Sequence, residues 1–403
     1  MPCGADAIKI SLGIPELEVL GIEEAADKIS IEVKRKTDFE ICPECGHSSE
    51  GLHSSWTTHV RDLPLGAKET WLKVLKRRFR CQNGCKVFAE HFVSLEKYQR
   101  QTKRYQAYLE SQCRKQSVQG ARNQAKVSYK LMERLYYKKA QAKANDFQNQ
   151  ELPRVLGVDE FRGKRNGPFH VLLTDMSQKN KARLWDILKE KGSLNFYQHF
   201  KKYGQEARDK VEVVVQDMDQ GFRAWNRSMF RKAIIVVDKF HVVKNLLKYL
   251  EAVRKEAYRK SQDQGNKQKI GKAYWLLRKR SQNLDAEQRE QLEELWKASK
   301  VLAEAYKIKE DLIAWYDAPK RRSQAQRELD YLYERIKAMP KLRGFCWTLD
   351  NWGDEILNYF AVGYTNAFTE GMNNKIKTLK RQAYGFRNFE RFRTRILVEC
   401  GLY

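Results

Sequence analysis

The chain has 403 residues, enough for two or three domains with a sizeable core, and it carries 77 lysines and arginines against 51 aspartates and glutamates. A net charge of +26 and a pI of about 9.6, spread along the chain rather than held in one tail, point to a polyanionic partner, of which nucleic acid is the commonest. No apolar run reaches the roughly 18 residues of a transmembrane helix, and the opening MPCGADAIKI lacks the basic and then apolar pattern of a secretion signal.

Eight cysteines in such a chain suggest metal or free thiols before disulfides. Early in the chain, Ile29, Ile31 and Val33 alternate with charged residues as in a strand. CPECG then presents Cys42 and Cys45, and FRCQNGC presents Cys81 and Cys85. Two closely spaced pairs of thiols suit tetrahedral sulfur ligation of Zn²⁺, with Gly46 and Gly84 allowing the tight turns. His47, His53 and His59 are substitutes that four cysteines make unnecessary. Between the pairs, WLKVLKRRFR reads as a basic strand offering Arg77 and Arg78 to a phosphate backbone. Residues 1–97 thus read as a zinc ribbon, with Cys3, Cys113, Cys346 and Cys400 left as ordinary buried or free thiols.

Residues 98–150 read as three short helices and a polar linker. The helices are placed at Thr102–Lys115, Val118–Lys126 and Ser128–Ala142, with Ser117 and Ser128 as N-caps. A short helix, a brief turn and a third helix make the helix-turn-helix pattern. The third helix is expected to keep Leu131 and Leu135 inward and to present Lys130, Arg134, Lys138 and Lys139 to DNA.

From Arg154 the pattern becomes α/β, in a segment taken as 151–245. GVDEF puts Asp159 at the end of a first strand, and PFHVLLTDM and ARLWDIL continue as a meander. VEVVVQDM closes a fourth strand at Asp217; AIIVVDKFH closes a fifth at Asp238, with His241 following. Residues 246–350 are helical in pattern. Thirteen basic against three acidic residues between Lys239 and Arg280 suit a helical insertion that grips DNA or dimerises, although a plain structural insertion is also open. Trp275, Leu276, Trp296, Trp315, Tyr316, Tyr331 and Leu332 are its expected core.

The last segment, 351–403, holds an amphipathic helix. Met372, Ile376, Leu379 and Ala383 fall on one stripe, and Glu370, Asn373, Asn374, Lys377 and Arg381 on the other. Asn366 or Thr369 is its candidate N-cap. Acids on the first strand, the fourth strand and a late helix fit an RNase H-like mixed sheet. Asp159, Asp217 and Glu370 could then hold a pair of divalent ions, Mg²⁺ or Mn²⁺, for phosphodiester chemistry. Lys377 and Arg381 would position the anionic strand. Asp238 and His241 could orient a water or the leaving oxygen, and Asp238 competes with Asp217 for the second ligand position.

Taken together, CPECG…RRFRCQNGC, the three helices, GVDEF, VVVQDM, IIVVDKFHVVKN and TEGMNNKIKTLKRQAYGFRNFERFR resemble the bacterial insertion-sequence transposases of the ISL-three family, in the family's order and over nearly the whole chain. The resemblance implies a Mg²⁺-dependent DDE core with Asp159, Asp217 and Glu370 as its acids, and a D-x-x-H match at Asp238 and His241. It also implies recognition of terminal inverted repeats by the ribbon and helix-turn-helix, double-stranded DNA as partner, action as a dimer or larger complex, and a place in the bacterial cytoplasm at the nucleoid. Phe368 and Thr369 depart from the small or basic residues usual before the glutamate. The rival readings are an RNase H-like nuclease or resolvase that does not transpose, and a DNA-binding regulator without catalysis.

Overall fold

The computed structural model describes residues 12–148, 150–163, 167–383, 385–386 and 388–401, so Cys3 and the centre of the basic loop after Arg162 lie outside the described residues. Two compact units, Met1–Lys139 and Ala140–Tyr403, divide the chain.

The first unit is built on a sheet of β1 (Leu17–Glu24), β2 (Lys28–Arg35), β5 (Leu52–Leu65) and β6 (Lys68–Phe79), in the order β1-β2-β6-β5. β2 and β6 are parallel and the other pairs antiparallel. The alternation seen in β2 is real: Ile29, Ile31 and Val33 are buried against Val60, Leu72 and Val74. Two small strands, β3 (Glu40–Ile41) and β4 (Ser48–Ser49), pair with each other, and β7 (Phe88–Ala89) adds to β6.

Arg77 departs from expectation. Instead of facing outward on a basic strand it is buried, and its guanidinium donates to Glu90 Oε2 (3.0–3.1 Å) and to the Thr37 carbonyl (2.6 Å). A buried carboxylate claims the cation, so Arg77 ties β6 to the segment around Glu90 and does not face outward. Arg78 is exposed and lies 5.3 Å from the Trp56 ring.

Three helices follow, α1 (Lys103–Lys115), α2 (Val118–Ala125) and α3 (Tyr129–Gln148). Thr102 caps α1, and Ser117 caps α2 by accepting from Gly120 N at 3.0 Å. Lys126, in the left-handed region at φ 49°, breaks the chain between α2 and α3, and Ser128 Oγ accepts from Leu131 N at 3.2 Å. The buried residues of α3 in the first unit are Met132 and Tyr136, one residue past the expected Leu131 and Leu135, which are half-buried; Ala140 and Ala144, further along the helix, belong to the second unit. Lys130, Arg134, Lys138 and Lys139 are exposed as expected, although Lys139 is paired with Glu110 at 2.7 Å. α3 also runs to Gln148, through residues expected to be linker.

The second unit holds a five-stranded mixed sheet of β8 (Val155–Arg162), β9 (Phe169–Asp175), β10 (Arg183–Leu188), β11 (Val213–Gln216) and β12 (Ile234–Val237), ordered β10-β9-β8-β11-β12. The first three form an antiparallel meander; β11 lies parallel between β8 and β12. These strands are apolar on both faces because helices cover both. On one side α4 (Ser193–Lys201), the single turn α5 (Gln205–Arg208) and α6 (Gln220–Met229) supply Phe196, Phe200, Phe222 and Phe230 to a core with Leu156, Val158 and Val214. On the other, α15 (Ala367–Gln382) and α16 (Phe389–Cys400) bring Met372, Ile376, Leu379, Phe392 and Ile396 against Phe161, Leu172 and Leu184.

Between β12 and α15 come α7 (Lys239–Lys260), α8 (Gln264–Lys272), α9 (Tyr274–Arg278), α10 (Ala286–Ala298), α11 (Lys300–Asp317), α12 (Arg322–Ala338), α13 (Arg343–Leu357) and the short α14 (Tyr359–Val362). Trp315, Tyr316 and Leu332 belong to the insertion's core, but Trp275 and Tyr331 are 72% and 68% exposed, so helix periodicity turned these two rings outward. The carboxylate of Glu355 on α13 is buried and receives Arg223 (2.7 Å to each oxygen) and Arg227 (2.7 Å) from α6, fastening the insertion's last long helix to the sheet's flank.

Candidate active site

The acids meet at one edge of the β8–β11–β12 sheet. β8 continues three residues past Asp159, so that acid projects from within the strand and not from its end. Asp217 is the first residue after β11, and Asp238 follows β12 at the start of α7. Parallel registry aligns Val158 with Gln216 and Gln216 with Val237, which brings all three strand acids to the same level.

α15 delivers the fourth. Gly157 makes its approach possible: a Cβ there would stand 2.3 Å from Thr174 Oγ1 and 2.8 Å from Thr369 Oγ1. Thr369 is buried and contacts Thr174 Oγ1 at 2.8 Å, so the residue before Glu370 sits where helix and sheet are closest. Asn366 occupies the N-cap position without capping through its side chain; its backbone N–H donates to Asp238 Oδ1 at 3.0 Å. Asn373 is buried, not on the solvent-facing polar stripe expected for it, and its amide donates to Asp159 Oδ2 at 2.5 Å. Its spacing of three from Glu370, which puts both on one side of the helix, was the signal available in the sequence. Lys377 and Arg381 are exposed further along α15.

His241, on the first turn of α7, bridges the acids. Its Nδ1 lies 2.9 Å from Asp217 Oδ1 and 3.4 Å from Asp238 Oδ2. Asp217 Oδ1 is nevertheless without an aligned hydrogen bond, so the contact is ionic proximity. Asp238, His241 and Glu370 offer ligand atoms within 4.8 Å of one another. Burial and then the Asp217 charge raise the Asp159 carboxyl to about 7. Burial and Asp238 likewise raise Glu370. Burial alone would push His241 down, but Asp217 and Asp238 override it and lift the imidazole to about 10. Four carboxylates crowded around a single imidazolium are short of positive charge. Beside these acids, Asn373 Oδ1 and both side-chain polar atoms of Asn366 are buried without hydrogen-bond partners. Hard oxygen donors and unmet polar atoms together fit a divalent cation.

The cysteines form the second cluster, in the first unit. The thiols of Cys42, Cys45, Cys81 and Cys85 all lie within 4.8 Å of one another. Gly46 and Gly84 both take φ 76°, and Gly46 N donates to Cys42 O at 2.9 Å, closing the first knuckle as its sequence implied. Four thiolates complete a tetrahedral shell, which suits structural Zn²⁺. Cys113, Cys346 and Cys400 are buried elsewhere.

A mixed sheet gathering carboxylates at one edge, in a chain with a four-cysteine cluster, fits the DNA-processing class of protein expected from the sequence. Comparison with known sequences makes this specific. Residues 156–396 match the ISL3-type DDE model described as "Transposase", and residues 38–85 match the "zinc-finger of transposase IS204/IS1001/IS1096/IS1165". The chain belongs to the ISL3 family of insertion-sequence transposases. It is 25% identical over 376 residues, 92% of this chain and 91% of the relative, to the "Transposase for insertion sequence element IS1001" of Bordetella parapertussis. A 47-residue stretch, 12% of this chain, is 47% identical to part of an "ATP-dependent protease" of Lactococcus lactis subsp. lactis, which is too short to bear on the whole. Among the described residues no helix is long and apolar enough to cross a membrane.

Proposed function

We propose that this transposase binds the terminal inverted repeats of its element, hydrolyses the phosphodiester at each end and joins the freed 3′-hydroxyl to target DNA. The observation that supports this reading is that strand registry brings Asp159, Asp217 and Asp238 to one level across three neighbouring strands, while Glu370 on α15 lies within ligand-atom reach of Asp238 and His241.

Asp159, Asp217 and Glu370 would hold Mg²⁺ or Mn²⁺, and Asp238 with His241 would set their frame. Asp238 competes with Asp217 for the second ligand position: it lies in ligand-atom reach of Glu370 and His241, while one of its oxygens accepts the Asn366 backbone N–H at the start of α15. Asp217 Oδ1 faces His241 Nδ1 at 2.9 Å. A bound ion pair would supply Lewis-acid stabilisation of the attacking and leaving oxygens. The protein's own residues do the rest. Asn373 fixes the Asp159 carboxylate, Asp238 fixes the helix carrying Glu370, and His241 holds positive charge beside Asp217. Water attacks phosphorus in line and the 3′-oxygen leaves; in the joining step that 3′-hydroxyl becomes the nucleophile toward a target phosphate.

End recognition is assigned to the ribbon and to the helix-turn-helix formed by α2 and α3, through Arg78, Lys130, Arg134, Lys138 and Lys139. Lys377 and Arg381 then guide the strand along α15. Two ends must be joined in one event, so the active complex is a dimer or larger. Labelled element ends incubated with a supercoiled target and Mg²⁺ should give a joined product. Glu370→Gln should bind the ends but cut at least about a thousandfold more slowly. Cutting without joining would replace transposition by plain nuclease action, and a wild-type rate in the variant would remove Glu370 from the site.

A further inference from the structure

A second cavity opens on the acid-bearing face of the same sheet and plays no part in the chemistry above. It measures about 170 Å³ and lies between the β8–β9 hairpin and helices α15 and α16. Its walls are rings: His170, Phe386, Phe389 and Phe392. His170 and Phe389 stack at 5.1 Å and 28°, and Phe386 and Phe392 meet at 4.9 Å. Its rim carries Lys189 and Lys380 against one acid, Glu190.

The walls are fixed rather than incidental. His170 is buried, its Nδ1 contacts the Lys189 carbonyl, and burial lowers its pKa, so it stands as a neutral ring. Gly163 lets the hairpin close over it, since a Cβ there would fall 2.5 Å from His170 Nε2. Phe392 is 4% exposed and forms the floor.

Its placement relative to the acids is set by strand registry. His170 pairs with Phe161, which is two residues beyond Asp159 and shares its sheet face, a step of about 7 Å along β8. α15 connects the two places: Asn373 holds Asp159 near one end, and Lys380 reaches the cavity rim toward the other. A ring-walled hole of this volume, with two lysines and one acid in its lining, matches an unstacked nucleobase whose flanking phosphates stay at the rim. A core packing defect would have no reason to carry lysines at its opening.

We propose that this pocket receives one base flipped out of the element-end DNA, stacked against Phe389 and His170, with Lys189 and Lys380 on the adjoining phosphates. The proposal rests on the end-binding reading above and assigns a further DNA subsite to it. The test uses the zinc-loaded full-length protein and duplexes of the element's own end, made abasic one nucleotide at a time across the cut site. Phe389→Ala should bind the intact end some 5–150-fold more weakly, the range expected for one base stacked on an aromatic ring. Phe389→Leu, which keeps apolar bulk, should lose as much, and Phe389→Tyr should restore binding. At one abasic position wild type and Phe389→Ala should bind equally. Wild type that binds the ends while no abasic position equalises the two proteins overturns the pocket alone. Wild type that neither binds nor cuts the ends overturns both readings.

Discussion

The two clusters of ligand-type side chains were assembled in opposite ways. The four cysteines come from two short knuckles whose geometry is written locally: two close pairs, one followed by Gly46 and one enclosing Gly84, both glycines at φ 76°. The acids come from residues 159, 217, 238 and 370, which no local spacing relates. A sheet's registry and a helix laid across it bring them together, and two asparagines hold them. Thiolates in a closed shell need only be near one another. Carboxylates meant to work on a passing phosphate must be held apart by a frame and left partly unsatisfied. Such a site depends on residues with no ligand chemistry of their own.

If that contrast holds, removing a ligand from the closed cluster should act on folding. Cys42→Ser should release the zinc, measured by atomic absorption as metal per chain, because a structural site of this kind contributes on the order of 10 kcal/mol to the fold around it. End binding should weaken with it, while the melting transition of the second unit should be unchanged. Zinc retained at full occupancy would separate Cys42 from the shell.

In the acid cluster, a frame residue should matter nearly as much as a ligand. Gly157 is the place to test this, since any Cβ there collides with Thr174 and with Thr369 on α15. Gly157→Ala should destabilise the second unit by about 1–3 kcal/mol, as overpacking does. It should slow cleavage beyond what the unfolded fraction explains, because α15 must retreat with Glu370 on it. A variant less stable but fully active per folded molecule would show that the helix position tolerates the shift.

How much of this was legible follows the same division. The ribbon knuckles, the three N-capped helices and the strand acids could be read because their signals are local: spacing, serine caps and apolar runs ending in aspartate. Missed were facts that only packing decides. Arg77 reads as a surface cation, yet Glu90 buries it; Trp275 and Tyr331 read as core, yet their helices turn them to solvent. The α3 stripe came out one residue off because Leu131 and Met132, and Leu135 and Tyr136, are adjacent apolar pairs that periodicity alone does not separate. Gly157 was simply part of an apolar strand, since its meaning lies in a helix more than two hundred residues later.

Asn373 gives the finest test. It looks like one more amide on a polar stripe, but it is buried, donates to Asp159 Oδ2 and leaves its own oxygen without a donor. A side chain needed only for packing could be replaced by leucine of similar volume with little effect on the chemistry. A group that orients a ligand cannot, and such partners typically cost 10–100-fold in metal affinity or activity when removed. Asn373→Leu should therefore cut DNA about 10–100-fold more slowly at limiting Mg²⁺ and recover partly as Mg²⁺ is raised, with end binding unchanged. Asn373→Asp should fare worse than Leu at low Mg²⁺, because it adds a carboxylate beside Asp159, whose carboxyl burial and the Asp217 charge already raise. Equal rates for wild type and Asn373→Leu across the Mg²⁺ titration would reduce the asparagine to a space-filling residue. The frame around the acids would then rest on Asp238 and Gly157 alone.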